Sequence, residues 1–317
     1  KPILIVAGEP NSIFFEIFFK SIKKNFYKRP VILIASKKLL VSQMSLLGFN
    51  YKIKTISEDY LKINQLNNKN INIINVDYIF KKAFEKISSK SNRYIHNCFD
   101  LALRILKKNK GVSLINGPIS KRFFLHGSEP GITEYLAKKT NVKNVAMLIY
   151  NKKLSVSPIT THLPLKDVHK NISKKKIINQ VILIHTFYKK ILKKIPKIAI
   201  TGLNPHCESN YLSSEENKSI IPAIKILYKK KYLVKGPFPA DTIFMKDNLK
   251  KYDVIIGMYH DQVLTPIKTL FEFNAINITL GLSFVRVSPD HGPNITMLGK
   301  NKSDPTSLIE ALKFLDK

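Results

Sequence analysis

Tryptophan is absent from the chain, and cysteine, glycine, arginine and acidic residues are all scarce. The two cysteines, Cys98 and Cys207, stand far apart, which excludes a disulfide framework and a thiolate zinc module and suits a reducing cytoplasm. No apolar run approaches the roughly 20 residues that a membrane span needs. Lys1–Gly8 reads as a strand that turns polar at Glu9, too short for the core of a signal peptide. No G-x-G-x-x-G follows any apolar run, so the common dinucleotide-binding fingerprint is missing.

Acids number 22 against 53 basic residues, a formal net charge of +31 over 317 residues. Such an excess invites a nucleic-acid reading. Yet only 5 of the basic residues are Arg and 48 are Lys. Arg makes the bidentate contacts to phosphate and guanine, so a nucleic-acid surface calls for more of it. Ile (43) and Asn (26) are abundant, while Ala (11) and Gly (12) are rare. Lys, Asn and Ile have AT-rich codons; Ala, Gly and most Arg codons are GC-rich. One base bias accounts for all these trends, and the lysines are dispersed in short runs such as Lys174–Lys176 and Lys229–Lys231. Neither a nucleic-acid nor a membrane partner is expected, and the expected location is the cytoplasm.

Apolar residues make up 44% of the chain, enough for a substantial core. Ile3–Ala7, Val31–Ala35, Val112–Asn116, Val145–Ile149, Ile198–Thr201 and Val254–Met258 read as buried strands. Between them, Ile177, Ile178, Val181, Ile182, Tyr188, Ile191, Leu192 and Ile195 recur at helical spacing, and Ser303–Leu315 reads as a further helix. This alternation predicts an α/β fold with largely parallel sheets and flanking helices. Asn64–Asn72, rich in Asn and Lys, reads as a loop or surface turn.

Three strands share one design. Ser155–His162, Ile198–His206 and Tyr252–His260 are each an apolar strand followed within a few residues by His. Open α/β sheets bind ligands beyond the carboxyl ends of their strands, and three His with an open fourth position form a recognised catalytic-metal set. A single such His is ordinarily a hydrogen-bonded structural residue; three in one context leave metal ligation and structural roles evenly matched. His185, on an apolar helix stripe, and His96, His126 and His169 read as structural. Around the strand ends stand Asp241, Asp261, Glu208, Lys268, Asn277 and Arg286. Lys268 and Arg286 suit an anionic substrate, and Asp241 or Lys268 suits proton transfer. The cofactor candidate is the Asp290–Lys300 loop, D-H-G-P-N-I-T-M-L-G-K.

Several ordered stretches carry a family resemblance: Asn116–Lys121 (N-G-P-I-S-K), Thr160–Val168 (T-T-H-L-P-L-K-D-V), Gly202–His206 (G-L-N-P-H), Gly236–Thr242 (G-P-F-P-A-D-T), Met258–Gln262 (M-Y-H-D-Q), Asn277–Leu282 (N-I-T-L-G-L) and Asp290–Gly292 (D-H-G). With them the chain resembles the 4-hydroxythreonine-4-phosphate dehydrogenase family of pyridoxal 5′-phosphate biosynthesis over nearly its whole length. The resemblance implies metal ligation by His162, His206 and His260. It implies substrate contacts at Thr133, Asp241, Lys268, Asn277 and Arg286, and a cofactor loop with His291, Gly292 and Asn294. It also implies NAD (or NADP), a divalent metal (Zn, Mg, Co or Mn), a homodimer with shared active sites, and a two-domain fold like that of isocitrate and isopropylmalate dehydrogenases. One domain would be residues 1–128 plus 284–317, the other 129–283. The implied reaction is oxidative decarboxylation of 4-phosphooxy-L-threonine to 3-amino-2-oxopropyl phosphate and CO₂. Four stretches depart from the family pattern. Ile132 stands where a phosphate-contacting His is usual, Gly8–Glu16 loses two glycines and gains two Phe, Cys207–Ser214 has no Gly, and Pro293–Asn294 replaces Thr-Ala. Ile132 raises the alternative of the same chemistry on a different phosphorylated 3-hydroxy acid.

Overall fold

The computed structural model describes residues 1–23, 27–58, 66–125, 127, 129–207, 211–272, 274–289 and 291–317. His126, Glu208, Asp290 and the first two residues of Asn64–Asn72 lie outside the described residues. The elements begin with β1 (Ile3–Val6), α1 (Phe14–Lys23), β2 (Val31–Ala35), α2 (Lys37–Leu46), β3 (Ile53–Thr55), β4 (Ile71–Asn75), α3 (Asn92–Lys108) and β5 (Ser113–Asn116). Next come α4 (Ile132–Lys139), β6 (Ala146–Tyr150), β7 (Ser155–Thr160), α5 (Leu165–Val168), α6 (Lys174–Phe187), β8 (Ile198–Thr201) and α7 (Ile221–Lys229). The series ends with β9 (Val234–Phe238), α8 (Lys246–Leu249), β10 (Val254–Tyr259), α9 (His260–Phe271), β11 (Ile276–Leu280), β12 (Arg286–Pro289) and α10 (Thr306–Leu315). The chain divides into two compact units, Lys1–Leu136 with Leu282–Lys317, and Ala137–Gly281.

In the first unit the strand order is β3-β4-β2-β1-β5-β12, parallel throughout. β1 (ILIV) and β2 (VILIA) are buried along their whole length, as parallel strands covered on both faces must be. α3 sets Tyr94, Ile95, Cys98, Phe99, Ala102 and Ile105 at helical spacing against a cluster that includes Leu4, Val6, Ile32, Ile34 and Leu114. α1 buries Phe14, Phe15, Phe18 and Phe19 and packs against α2 and α10. The loops after β1 and β5 interlock: a Cβ on Gly117 would lie 2.1 Å from the Ala7 carbonyl and 2.7 Å from a Phe14 ring carbon. A Cβ on Gly8, whose φ is +78°, would lie 2.3 Å from the Pro118 carbonyl. The added Phe14 thus occupies space that Gly117 leaves open.

β4 corrects one expectation. Ile71 and Asn72 are not loop; they open a strand paired with β2. Asn72 is buried, and its Nδ2 donates to the Val31 carbonyl at 3.1 Å and the Asn67 carbonyl at 2.8 Å. A satisfied amide is tolerated inside a sheet where an unpaired one is not.

The second unit has the order β11-β6-β7-β10-β8-β9. β6 runs antiparallel to β11 and β7, while β7, β10, β8 and β9 are parallel. The expected Ile177–Ile195 helix is α6 followed by a π turn at Tyr188–Leu192. α6 buries Ile177, Val181 and Ile184, and the His185 ring meets Tyr232 edge-on at 4.9 Å. With glycine rare, non-glycine residues take left-handed backbone positions, including Asn141, Asn294, Asn301 and the lysines 193 and 231 that close the α6 and α7 runs.

Two predictions follow from the packing of the first unit. Gly117→Ala is expected to lower stability by about 1–3 kcal/mol through overpacking, read as a shift in the denaturant midpoint. Burial pushes the Cys98 thiol up to about 12. Since the thiolate is the reactive form, Cys98 should react with Ellman's reagent only after unfolding, whereas the half-buried Cys207 should account for any reaction of the native chain.

Candidate active site

β7, β10 and β8 are parallel neighbours, so their carboxyl ends lie side by side. His162 lies two residues beyond β7, His260 opens α9 directly after β10, and His206 sits in the Pro205–Cys207 turn after β8. The rings of His162 and His260 are neighbours, their centroids 5.9 Å apart and their planes tilted by 39°. Nδ1 of His260 lies 2.6 Å from Asp261 Oδ1, a carboxylate–imidazole pairing that orients the ring. Together with Thr160, Leu163 and Tyr259 they line a cavity of about 340 Å³. Two neighbouring imidazoles, one of them paired with a carboxylate, suit a divalent cation chemically. Among the described residues no three His, Cys, Asp or Glu side chains form a metal-holding group. The structure thus brings two of the three expected ligands together and leaves the exposed His206 on its own turn.

Other expected site residues of this unit stand apart from that cavity's lining. Asp241 is exposed in the turn after β9, and Lys268 is exposed on α9. Asn277, on β11, is half-buried, and its buried Oδ1 accepts no hydrogen bond among the described residues. Three polar residues escaped the sequence reading as site residues: Thr160, Gln262 and Glu216. Gln262 and Thr160 each lie in one of the motif stretches, but only their contacts reveal what they do. Glu216 is 1% exposed. Burial favours its neutral form, but hydrogen bonds from Asn204 and Leu203 outweigh this and hold the carboxyl below its usual value.

In the first unit, Arg286 opens β12, fully buried, and its Nε donates to Asn116 Oδ1 at 2.7 Å. Burial pulls its guanidinium down to about 9, opposed by the Glu134 carboxylate, so it stays charged at neutral pH. Thr133 is buried at the start of α4. Ile132 before it packs, half-buried, against the apolar cluster around α3, so the missing His is replaced by packing. His291, half-buried, has Nδ1 3.0 Å from the Gly292 carbonyl. Gly292 has open space where a Cβ would point, and Asn294 is exposed with φ 47°. The Pro293 carbonyl accepts from Ile13 N at 3.2 Å, which ties this loop to the start of α1.

With the geometry in place, comparison with known proteins is decisive. The family model described as Pyridoxal phosphate biosynthetic protein PdxA matches residues 27–315. The chain belongs to this family. A 4-hydroxythreonine-4-phosphate dehydrogenase of Sulfurihydrogenibium is 39% identical, the alignment covering 98% of this chain and 96% of the relative. The crystal structure of 4-hydroxythreonine-4-phosphate dehydrogenase from Klebsiella pneumoniae matches with a TM-score of 0.86 and 28% identity, over 99% of this chain and 98% of that one. Isocitrate dehydrogenase from Methylococcus capsulatus, 10% identical with a TM-score of 0.50 over 97% of this chain and 82% of its own, shares the fold alone. The resemblance read from the ordered motifs and the α/β fold class are both borne out.

The Arg286–Asn116 bond yields a prediction within this PdxA chain. Asn116→Leu removes an acceptor from the buried Arg286 guanidinium and is expected to cost about 1–3 kcal/mol of stability, measured by chemical denaturation.

Proposed function

We propose that the chain catalyses NAD- and divalent-metal-dependent oxidative decarboxylation of 4-phosphooxy-L-threonine, giving 3-amino-2-oxopropyl phosphate and CO₂ for pyridoxal 5′-phosphate synthesis. The observation that carries this reading is the closeness of His162 and His260 beyond adjacent parallel strand ends in a chain matched by the PdxA family model over residues 27–315. The ligand set of the reading is His162, His206 and His260, and the cofactor loop is His291, Gly292 and Asn294. His162, His206 and His260 would hold the metal, which would supply Lewis acidity, and the His291–Asn294 loop would hold the NAD, which would supply a hydride acceptor.

The chain's own residues supply binding and proton handling. Lys268 and Arg286 counter the carboxylate and phosphate charges, and the Thr133 hydroxyl and Asn277 amide offer hydrogen bonds. The unfilled acceptor at Asn277 Oδ1 is a place for a substrate donor. Lys268 or Asp241 takes the C3 hydroxyl proton; once the 3-keto acid loses CO₂, a proton returned to carbon completes the product, so the net reaction neither consumes nor releases one. The active sites are shared between two copies of the chain. Ile132, absorbed into apolar packing, does not favour a different phosphorylated 3-hydroxy acid over the main substrate.

The test is NADH formation by the purified chain with 4-phosphooxy-L-threonine, NAD and each of Zn, Mg, Co and Mn. Turnover is expected with at least one metal, and none with any would overturn the reading. His260→Ala should lower turnover by more than about 100-fold, beyond the loss typical of a residue that only supports a ligand, with the circular dichroism of the fold unchanged.

A further inference from the structure

Side chains lace together the three strand ends that carry the histidines. Thr160 Oγ1, at the end of β7, donates to the Met258 carbonyl of β10 at 2.8 Å. β10 and β8 pair in register only as far as Ile256 and Ile200. Beyond that point the amide of Gln262 spans the gap. Its Oε1 accepts from Met258 N at 2.6 Å and Thr201 Oγ1 at 2.9 Å, and its Nε2 donates to the Gly202 carbonyl at 2.8 Å. The Glu216 carboxylate grips the next two residues, Oε1 accepting from Leu203 N at 2.8 Å and Asn204 N at 2.9 Å, and Oε2 from Asn204 Nδ2 at 2.7 Å. Space is kept for both side chains. A Cβ on Gly257 would lie 3.0 Å from Gln262 Oε1, and one on Gly202 would lie 3.0 Å from Glu216 Oε1.

Every residue from Thr201 to Asn204 is therefore held by a side chain from elsewhere in the unit. Directly after this held stretch and Pro205, His206 and Cys207 both take φ 58°, the left-handed region. Such non-glycine residues are strained and persist only where their surroundings over-determine them. The clamp from Gln262 and Glu216 fixes the chain that enters this strained turn.

We propose that Gln262 and Glu216 are positioning residues that hold the Gly202–His206 turn at a fixed offset from His260, so that His206 is carried on an anchored turn when it joins His162 and His260 around a divalent cation. The proposal rests on the reading of those histidines as a metal set. Gln262 serves the site from within two residues of His260, and Glu216 from a helical turn beyond the loop it grips.

The experiment titrates Co²⁺ alone into the purified full chain by calorimetry, with the visible absorption of bound cobalt as a second readout. Gln262→Met keeps the side-chain length and removes all three hydrogen bonds. It is expected to weaken Co²⁺ binding about 10–100-fold and to change the cobalt spectrum. Gln262→Glu keeps the acceptor for Met258 N and Thr201 but loses the donor to Gly202, and should bind with intermediate affinity. If Gln262→Met fails to fold, Thr201→Val, which removes one bond, decides in its place with a smaller loss in the same direction. A folded variant with wild-type cobalt affinity and spectrum, whatever its thermal stability, overturns the proposal and leaves the metal reading intact. A wild-type chain that binds no Co²⁺, or binds it equally well after His260→Ala, overturns the metal reading itself.

Discussion

Parallel pairing is the constraint on which the rest of this molecule depends. Two parallel strands cannot be joined by a tight turn, so each carboxyl end must run out into a longer connection. In the second unit this places the ends of β7, β10 and β8 at one edge, each followed by a histidine. The backbone ladder stops there, and the polar groups it would have satisfied become available to side chains. Gln262, Thr160 and Glu216 take them up. The same constraint acts in the first unit, where the loops leaving β1 and β5 approach so closely that glycine is needed at positions 8 and 117.

Much of this was legible in the sequence where the signal is local. The runs Ile3–Ala7, Val31–Ala35 and Val254–Met258 are apolar enough to be strands in any context, and they are β1, β2 and β10. The histidines after three strands could be recognised by position alone. β4 was hidden because its Asn-rich sequence looks like a turn until the partner of Asn72 is known. Gln262 and Glu216 were hidden for the same kind of reason. Each acts through contacts with residues far away in sequence, and an isolated Gln or Glu carries no mark of the backbone amide it will meet. His206 shows the reverse: its identity was plain, but its left-handed turn, entered from that clamped stretch, was not.

Charge divides along similar lines. The lysines are mostly exposed, as a compositional drift confined to solvated positions would leave them. Some of the few arginines hold fixed places in the fold. Arg29 joins the Lys1 and Pro2 carbonyls to Ser113 Oγ, fastening the starts of β1 and β5. Arg286 is buried on Asn116. A planar fork that satisfies several acceptors at once is hard to replace with an ammonium group, so these sites resist the exchange that the surface has absorbed.

The left-handed backbone positions extend that thought to folding. Helices commonly end on a glycine because it adopts this conformation without penalty. Here lysines 193 and 231 hold two of those places and Asn141 follows the end of α4, while Asn294 and Asn301 take the same conformation in loops. Asparagine is the mildest substitute, since its short polar side chain tolerates the region, and lysine is a poorer one. A genome that withdraws glycine thus levies small strains at scattered helix ends and turns, none of them fatal. Their sum narrows the margin between the folded chain and its unfolded ensemble.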